Sequence, residues 1–147
     1  MPSLGNPTPD NRIFSLDTQR QVLGQHGLGD FRKPSIQIQH GTTEVTDFLY
    51  VGANIYSGSV EATGLPNPHS VDQAETLALV FEDDQAALRL TLYYTAYEDR
   101  ATITSFSKIE NCSDETVVIH KALSVLADVP AGDYDVITLQ GAYAREK

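Results

Sequence analysis

The chain has 147 residues, enough for one domain that buries roughly two-thirds of its surface on folding. With 10 Lys and Arg against 20 Asp and Glu, the formal net charge of −10 excludes the basic footprint that nucleic-acid binding requires. The single cysteine, Cys112, excludes an intrachain disulfide and a cysteine-based zinc cluster, and no run approaches about 18 apolar residues.

Hydrophobic residues make up 41% of the chain, close to the usual globular share, so the whole is predicted to fold. Residues 1–10 are rich in Pro, Gly and Asn and lack the basic start and apolar run of a secretory signal. A cytoplasmic protein without a membrane segment is expected.

Residues 1–34 read as an irregular lead-in. Pro2, Pro7 and Pro9 punctuate its start, and Gly24, Gly27 and Gly29 break any helix begun at 18–23. A short strand over 12–17 is the most it offers. From residue 35 the texture changes, and 35–147 is predicted to form a β-sandwich domain. Residues 35–39 alternate, with Ile36 and Ile38 on one face, before Gly41 turns the chain. Residues 46–51 and 54–57 read as two short strands interrupted by Gly52. The next strand, 75–81, is closed by an acidic turn, Glu82-Asp83-Asp84.

Residues 87–97 carry the clearest pattern. Leu88, Leu90, Leu92, Tyr94 and Ala96 share one face, while Arg89, Thr91, Tyr93, Thr95 and Tyr97 share the other. Period two sustained over this length is the signature of a half-buried strand. Leu90 and Leu92 are therefore predicted to face inward and Arg89 outward. Further strands are read at 101–111, 116–129 and 135–142, separated by polar turns. In 116–129 the apolar residues Val117, Ile119, Leu123, Val125 and Val129 keep one parity, with Lys121 the exception. Strands with polar turns and no convincing helix predict an all-β, antiparallel sandwich.

Chemistry is harder to find. Sugar hydrolysis needs two carboxylates flanking the scissile bond, and Glu82/Asp83/Asp84, Glu98/Asp99 and Asp133/Asp135 supply acids. All sit where turns are expected, and Asp is a turn former in its own right. Asp133-Tyr134-Asp135 lacks the spacing and the distal Glu of a calcium loop. His26, His40, His69 and His120 make no metal-ligand pairing. His120 shares the parity of Ala122 and Leu126 and is predicted to be partly packed, and Cys112 to be an inert turn residue. Tyr93 and Tyr97 share a strand face that could stack on sugar, although tyrosine is also an ordinary strand residue. No catalytic, substrate-binding or metal-ligating residue is assigned, and no cofactor is expected.

Several segments, in order, resemble the amino-terminal domain of glycoside hydrolase family 36. They begin with Asp30-Phe31-Arg32-Lys33-Pro34, Thr46-Asp47-Phe48, Ile55-Tyr56-Ser57-Gly58, Gly64-Leu65-Pro66 and Ala74-Glu75-Thr76-Leu77. They continue with Leu92-Tyr93-Tyr94-Thr95-Ala96-Tyr97-Glu98, Ile109-Glu110-Asn111 and Asp133-Tyr134-Asp135. The run Leu139-Gln140-Gly141-Ala142-Tyr143-Ala144-Arg145-Glu146 is similar to the family's Gly-Ala-Trp-x-Arg-Glu, with Tyr143 in place of Trp.

The resemblance implies a β-sandwich preceding a (β/α)₈ barrel, in retaining enzymes that hydrolyse terminal α-galactosides such as melibiose and raffinose. Both catalytic aspartates belong to the barrel, so neither is carried over to a residue here. It also implies further strands before the region matching 12–17, and a homo-oligomer in the full enzyme. The expectation is an inactive, non-catalytic amino-terminal domain that supports the barrel and oligomer assembly. The galactoside would be met only through the barrel. The alternative is a stand-alone carbohydrate-binding sandwich, and a small glycosidase built on the turn acids ranks last.

Overall fold

A computed structural model describes residues 19–28, 32–67, 73–123 and 125–138. The possible strand at 12–17, His69, Asp30 and Phe31 of the first family segment, and the closing run with Tyr143 lie outside the described residues. Among the described residues six strands form: β1 (Ile36–His40), β2 (Leu49–Ser57), β3 (Ala74–Asp83), β4 (Leu88–Tyr97), β5 (Thr102–Asn111) and β6 (Val117–Ala122). β2 to β5 make a four-stranded antiparallel sheet in sequence order, and β1 pairs with β6 as a separate two-stranded ribbon. The fold is all-β and antiparallel, with the ribbon packed on one face of the larger sheet.

β4 shows why. Its even-numbered residues Leu88, Leu90 and Leu92 are buried, and they join Ile36 and Ile38 of β1, Phe48, Ala86 and Leu23 in one core. Burial of apolar area at about 25 cal/mol per Å² is what draws ribbon and sheet together. Alternation fails from mid-strand on, where Thr91 of the polar parity is also buried. Ala96, on the apolar parity, is exposed, whereas Thr95 and Tyr97 are buried. The segment after β2 accounts for the burial of the opposite face. Gly58 O accepts a hydrogen bond from Thr76 Oγ1 at 2.8 Å, and Thr76 in turn lies 2.8 Å from Thr95 Oγ1. The ribbon does not reach the other side at that end, so Ile55 and Ile103 stay 74% and 70% exposed.

Two β-bulges adjust the registers. In β2, Val51 is the extra residue between the pairs Tyr50↔Phe81 and Gly52↔Val80. The two short strands predicted around Gly52 are therefore one strand, bent but unbroken. In β6 the pairs Gln37↔Lys121 and Ile38↔Ile119 leave His120 as the extra residue. The bulge shifts the parity by one, so Val117 packs against the core while Lys121 lies opposite the polar Gln37. This corrects the reading of His120 as partly packed: it is exposed, with Nε2 3.0 Å from Gln39 Oε1.

The strand predicted at 116–129 is shorter than expected, and the described part of the one predicted at 135–142 is not a strand. β6 stops at Ala122, followed by a single ladder-like bond from Leu123 N to Ser35 O, and 125–138 contain no strand. Val136 and Ile137 are 88% and 85% exposed. Their strand-like pattern meets no partner edge among the described residues, and an extended segment without one has no ladder to join.

The lead-in is tied down at several points. Leu23 enters the core, and Gly24 O accepts hydrogen bonds from Ser35 N at 2.9 Å and Ser35 Oγ at 3.0 Å. Gln25 brackets the backbone of Phe48, accepting from its N–H at 2.7 Å and donating to its carbonyl at 3.2 Å. Arg32 donates to Asp128 at 2.9 Å and to Gln19 O at 3.2 Å. Gly27 has φ +89°, and a Cβ there would stand 2.7 Å from Val45 Cγ2, so both backbone and space require glycine.

Thr46 is buried, yet its Oγ1 has no hydrogen-bond partner among the described residues. A buried hydroxyl left unpaired carries its full desolvation cost. Thr46→Val is therefore expected to keep or raise stability, by about 1 kcal/mol. Urea unfolding checks this, and a clear loss would reveal a partner for the hydroxyl.

Candidate functional site

The acids nominated from sequence do not form one site. Glu98 and Asp99 follow β4, where both guanidinium nitrogens Nε and Nη2 of Arg100 bond the Asp99 carboxylate at 2.9 and 2.7 Å. That hydrogen bonding holds the Asp99 carboxyl below its usual range. Asp133 and Asp135 are exposed in the segment without strands. Glu82 and Asp83 are not in a turn at all: they are the last residues of β3, and only Asp84 enters the turn.

Asp83 is buried and bonds backbone on two sides. Its Oδ1 accepts from Gln85 N and Ala86 N at 3.0 and 2.9 Å, and its Oδ2 accepts from Asp47 N at 2.8 Å. Such a carboxylate is an architectural pin. The histidines are scattered. His40 Nε2 lies 3.7 Å from Glu115 Oε2, and His120 Nε2 lies 3.9 Å from Glu44 Oε1, both at the rim of the ribbon. Among the described residues no three of His, Cys, Asp and Glu gather as a metal site. Cys112 is exposed beside a turn.

One arrangement lies on the face of the large sheet turned away from the ribbon and brings together Glu82 and Tyr93, which the sequence nominated only separately. Arg89 donates from Nε and Nη2 to a single oxygen, Glu82 Oε1, at 2.8 and 2.6 Å. On its other flank Arg89 pairs across strands with Glu110, which accepts a 2.8 Å bond from Lys108 Nζ. Farther along, Tyr93 stacks on its cross-strand partner Phe106 with centroids 4.5 Å apart. Glu82, Arg89, Glu110 and Tyr93, with Asn54 and Tyr56 from β2, line a depression of about 400 Å³ floored by Gly52, Ala78 and Val80.

Glu82 and Glu110 thus stand two strands apart, roughly 9–10 Å by strand spacing. That approaches the carboxyl separation of an inverting glycosidase, but the electrostatics do not suit one. A general acid needs a carboxyl whose pKa is raised. The Lys108 hydrogen bond moves Glu110 the other way, with the charges of Lys108 and Arg89 adding to it. Glu82 is held by the Arg89 guanidinium through two bonds to one oxygen.

The comparison with known families decides what this sheet belongs to. Residues 3–147 match the family model described as the glycosyl hydrolase family 36 N-terminal domain. The chain belongs to that family. The family 36 N-terminal domain described here is 42% identical over 146 residues to α-galactosidase AgaA of Geobacillus stearothermophilus, and 32% identical over 144 residues to α-galactosidase Mel36A of Lactobacillus acidophilus. These alignments cover 97% and 96% of the chain, but 20% of each relative. The chain therefore spans about one-fifth of the length of the curated relatives it matches.

The solved structures agree. A variant of AgaA from G. stearothermophilus in complex with raffinose superposes with a TM-score of 0.73 at 38% identity, over 84% of this chain and 18% of that one. The galactosidase domain of the α-galactosidase–sucrose kinase AgaSK also gives 0.73, at 29% identity, over 80% of this chain and 17% of that one. The segments picked out as family-like fall in the matched span. Of these, Thr46-Asp47-Phe48 leads into β2, Ala74-Glu75-Thr76-Leu77 opens β3, and Leu92 to Tyr97 closes β4.

Proposed function

We propose that this family 36 domain is the non-catalytic amino-terminal part of an α-galactosidase that hydrolyses terminal α-galactosides such as melibiose or raffinose. In this reading residues 1–34 lead into the sandwich of 35–147, which supports a catalytic barrel and helps assemble a cytoplasmic homo-oligomer. The observation that carries it is the match of residues 3–147 to the amino-terminal domain of enzymes five times as long. The exposed apolar residues Ile55, Ile103, Val136 and Ile137 support a domain made to be covered by more chain.

The purified chain is expected to hydrolyse a chromogenic α-galactoside no faster than buffer. Turnover well above that control, abolished by Glu110→Gln or Asp99→Asn, would overturn the reading.

A further inference from the structure

The outer face of the four-stranded sheet is a trough rather than a plane, and its shape follows from β3. There Ala74, Thr76, Ala78 and Val80 on this face are small, with the longer Glu82 at its end, while Leu77, Leu79 and Phe81 fill the opposite face. Gly52 continues the low floor onto β2. Ala78 is covered from either side by its cross-strand partners Asn54 and Tyr93. The depression, about 400 Å³, lies within the range of small-molecule sites.

Its chemistry is specific. Of the charged groups that line it, Glu82 is paired with Arg89, and Glu110 with Lys108 just beyond the lining, so the charges are balanced locally on a chain whose formal net charge is −10. Arg89 spends two donors on one oxygen of Glu82. That leaves Glu82 Oε2 and Arg89 Nη1 without a hydrogen-bond partner among the described residues. With the Asn54 amide, these are planar groups that can engage adjacent hydroxyls in pairs. Tyr56, exposed, and Tyr93, half-buried, offer ring faces for C–H surfaces.

A phosphate-bearing ligand would find no unpaired cation here, and an apolar peptide would have to cover the charged Glu82, Arg89 and Glu110 without bonding them. We propose that this trough binds a neutral saccharide, its hydroxyls held by Asn54, Glu82 and Arg89 and its apolar face lying against Tyr93.

The test is an NMR titration of the isotope-labelled 147-residue chain with raffinose, run beside glycerol as a control for non-specific hydroxyl binding. The expected result is saturable amide shifts centred on 52–56, 78–82 and 89–93, with a dissociation constant on the order of 1 mM. Tyr93→Ala and Asn54→Ala are each expected to weaken binding by about tenfold. Asn54 is exposed on an edge strand, so its variant reads the trough even if loss of the Tyr93–Phe106 stack unfolds the other.

Absence of saturation, equal shifts with glycerol, a binding surface elsewhere, or undiminished affinity in folded Asn54→Ala would each overturn the proposal. So would tighter binding of an acidic oligosaccharide than of raffinose. Each of these leaves the hydrolysis result, and the domain assignment carried by the family match, untouched.

Discussion

Replacing Leu90 with alanine is expected to lower the unfolding free energy by about 2–5 kcal/mol, the range for leucine truncation in a packed core. Leu90 is 0% exposed and sits at the centre of the sheet. Phe81 and Ile109 flank it across the strands, Leu88 and Leu92 precede and follow it on the same face, and Ile36 and Ile38 belong to the same cluster. Neighbours on paired strands cannot collapse into the vacated space without breaking the ladders, so relaxation is limited. Urea unfolding measures the loss as a fall in midpoint with an unchanged slope. Arg89→Ala, one residue away, removes an exposed ion pair from the opposite face, and such pairs contribute little. Equal losses from the two variants would mean that both faces of β4 are core, and the one-sided reading of the strand would fall.

Asp83→Ala is expected to cost of the order of 3 kcal/mol, a large effect for a residue that touches no ligand. The side chain is 3% exposed and satisfies three backbone N–H groups, those of Asp47, Gln85 and Ala86. Two of these shape the β3–β4 turn, where Ala87 holds a left-handed φ of 49°, and the third anchors the approach to β2. Truncation strands all three donors, and Ala86 is itself buried, so water cannot readily replace the carboxylate. Asp83→Asn keeps one acceptor oxygen and should lose less. Besides calorimetry, amide exchange at Asp47 and Ala86 is a local readout, and both should quicken in Asp83→Ala. A change within about 0.5 kcal/mol, ordinary for a surface site, would show that the pin is redundant.

Strands that alternate cleanly are legible from the order of their residues alone. β4, with leucines on one parity, and β1, with Ile36 and Ile38, lie within a residue or two of their expected ends. β3 runs two residues past its expected close because Asp83 is pinned by backbone donors, a contact between segments 36 residues apart that no local pattern encodes. The carboxy-terminal expectations fail for a different reason. Val136 and Ile137 have the composition of a strand, but a strand exists only with a partner, and composition does not say whether one is present. The trough is hidden from a linear reading because its walls come from β2, β4 and β5. Its one sequence trace is the contrast in β3 between the small Ala74, Ala78 and Val80 and the large Leu77, Leu79 and Phe81. The charge pairing of Glu82 with Arg89 needs the hairpin register and does not follow from their separation of seven residues alone.

The bulge at His120 bears on how this domain can change its length over evolution. Because His120 is the unpaired residue of the β1–β6 ribbon, losing it would leave each cross-strand pair in place and simply straighten the strand. Losing Ile119 instead would strip Ile38 of its partner and force the ribbon to re-register, with a one-residue slip reversing which side chains point inward. Single-residue deletions in this ribbon are thus not equivalent: one position is a built-in slack link, and its neighbours are not. Homologues differing in length by one residue here should carry the gap at this link, with the cores on either side unshifted.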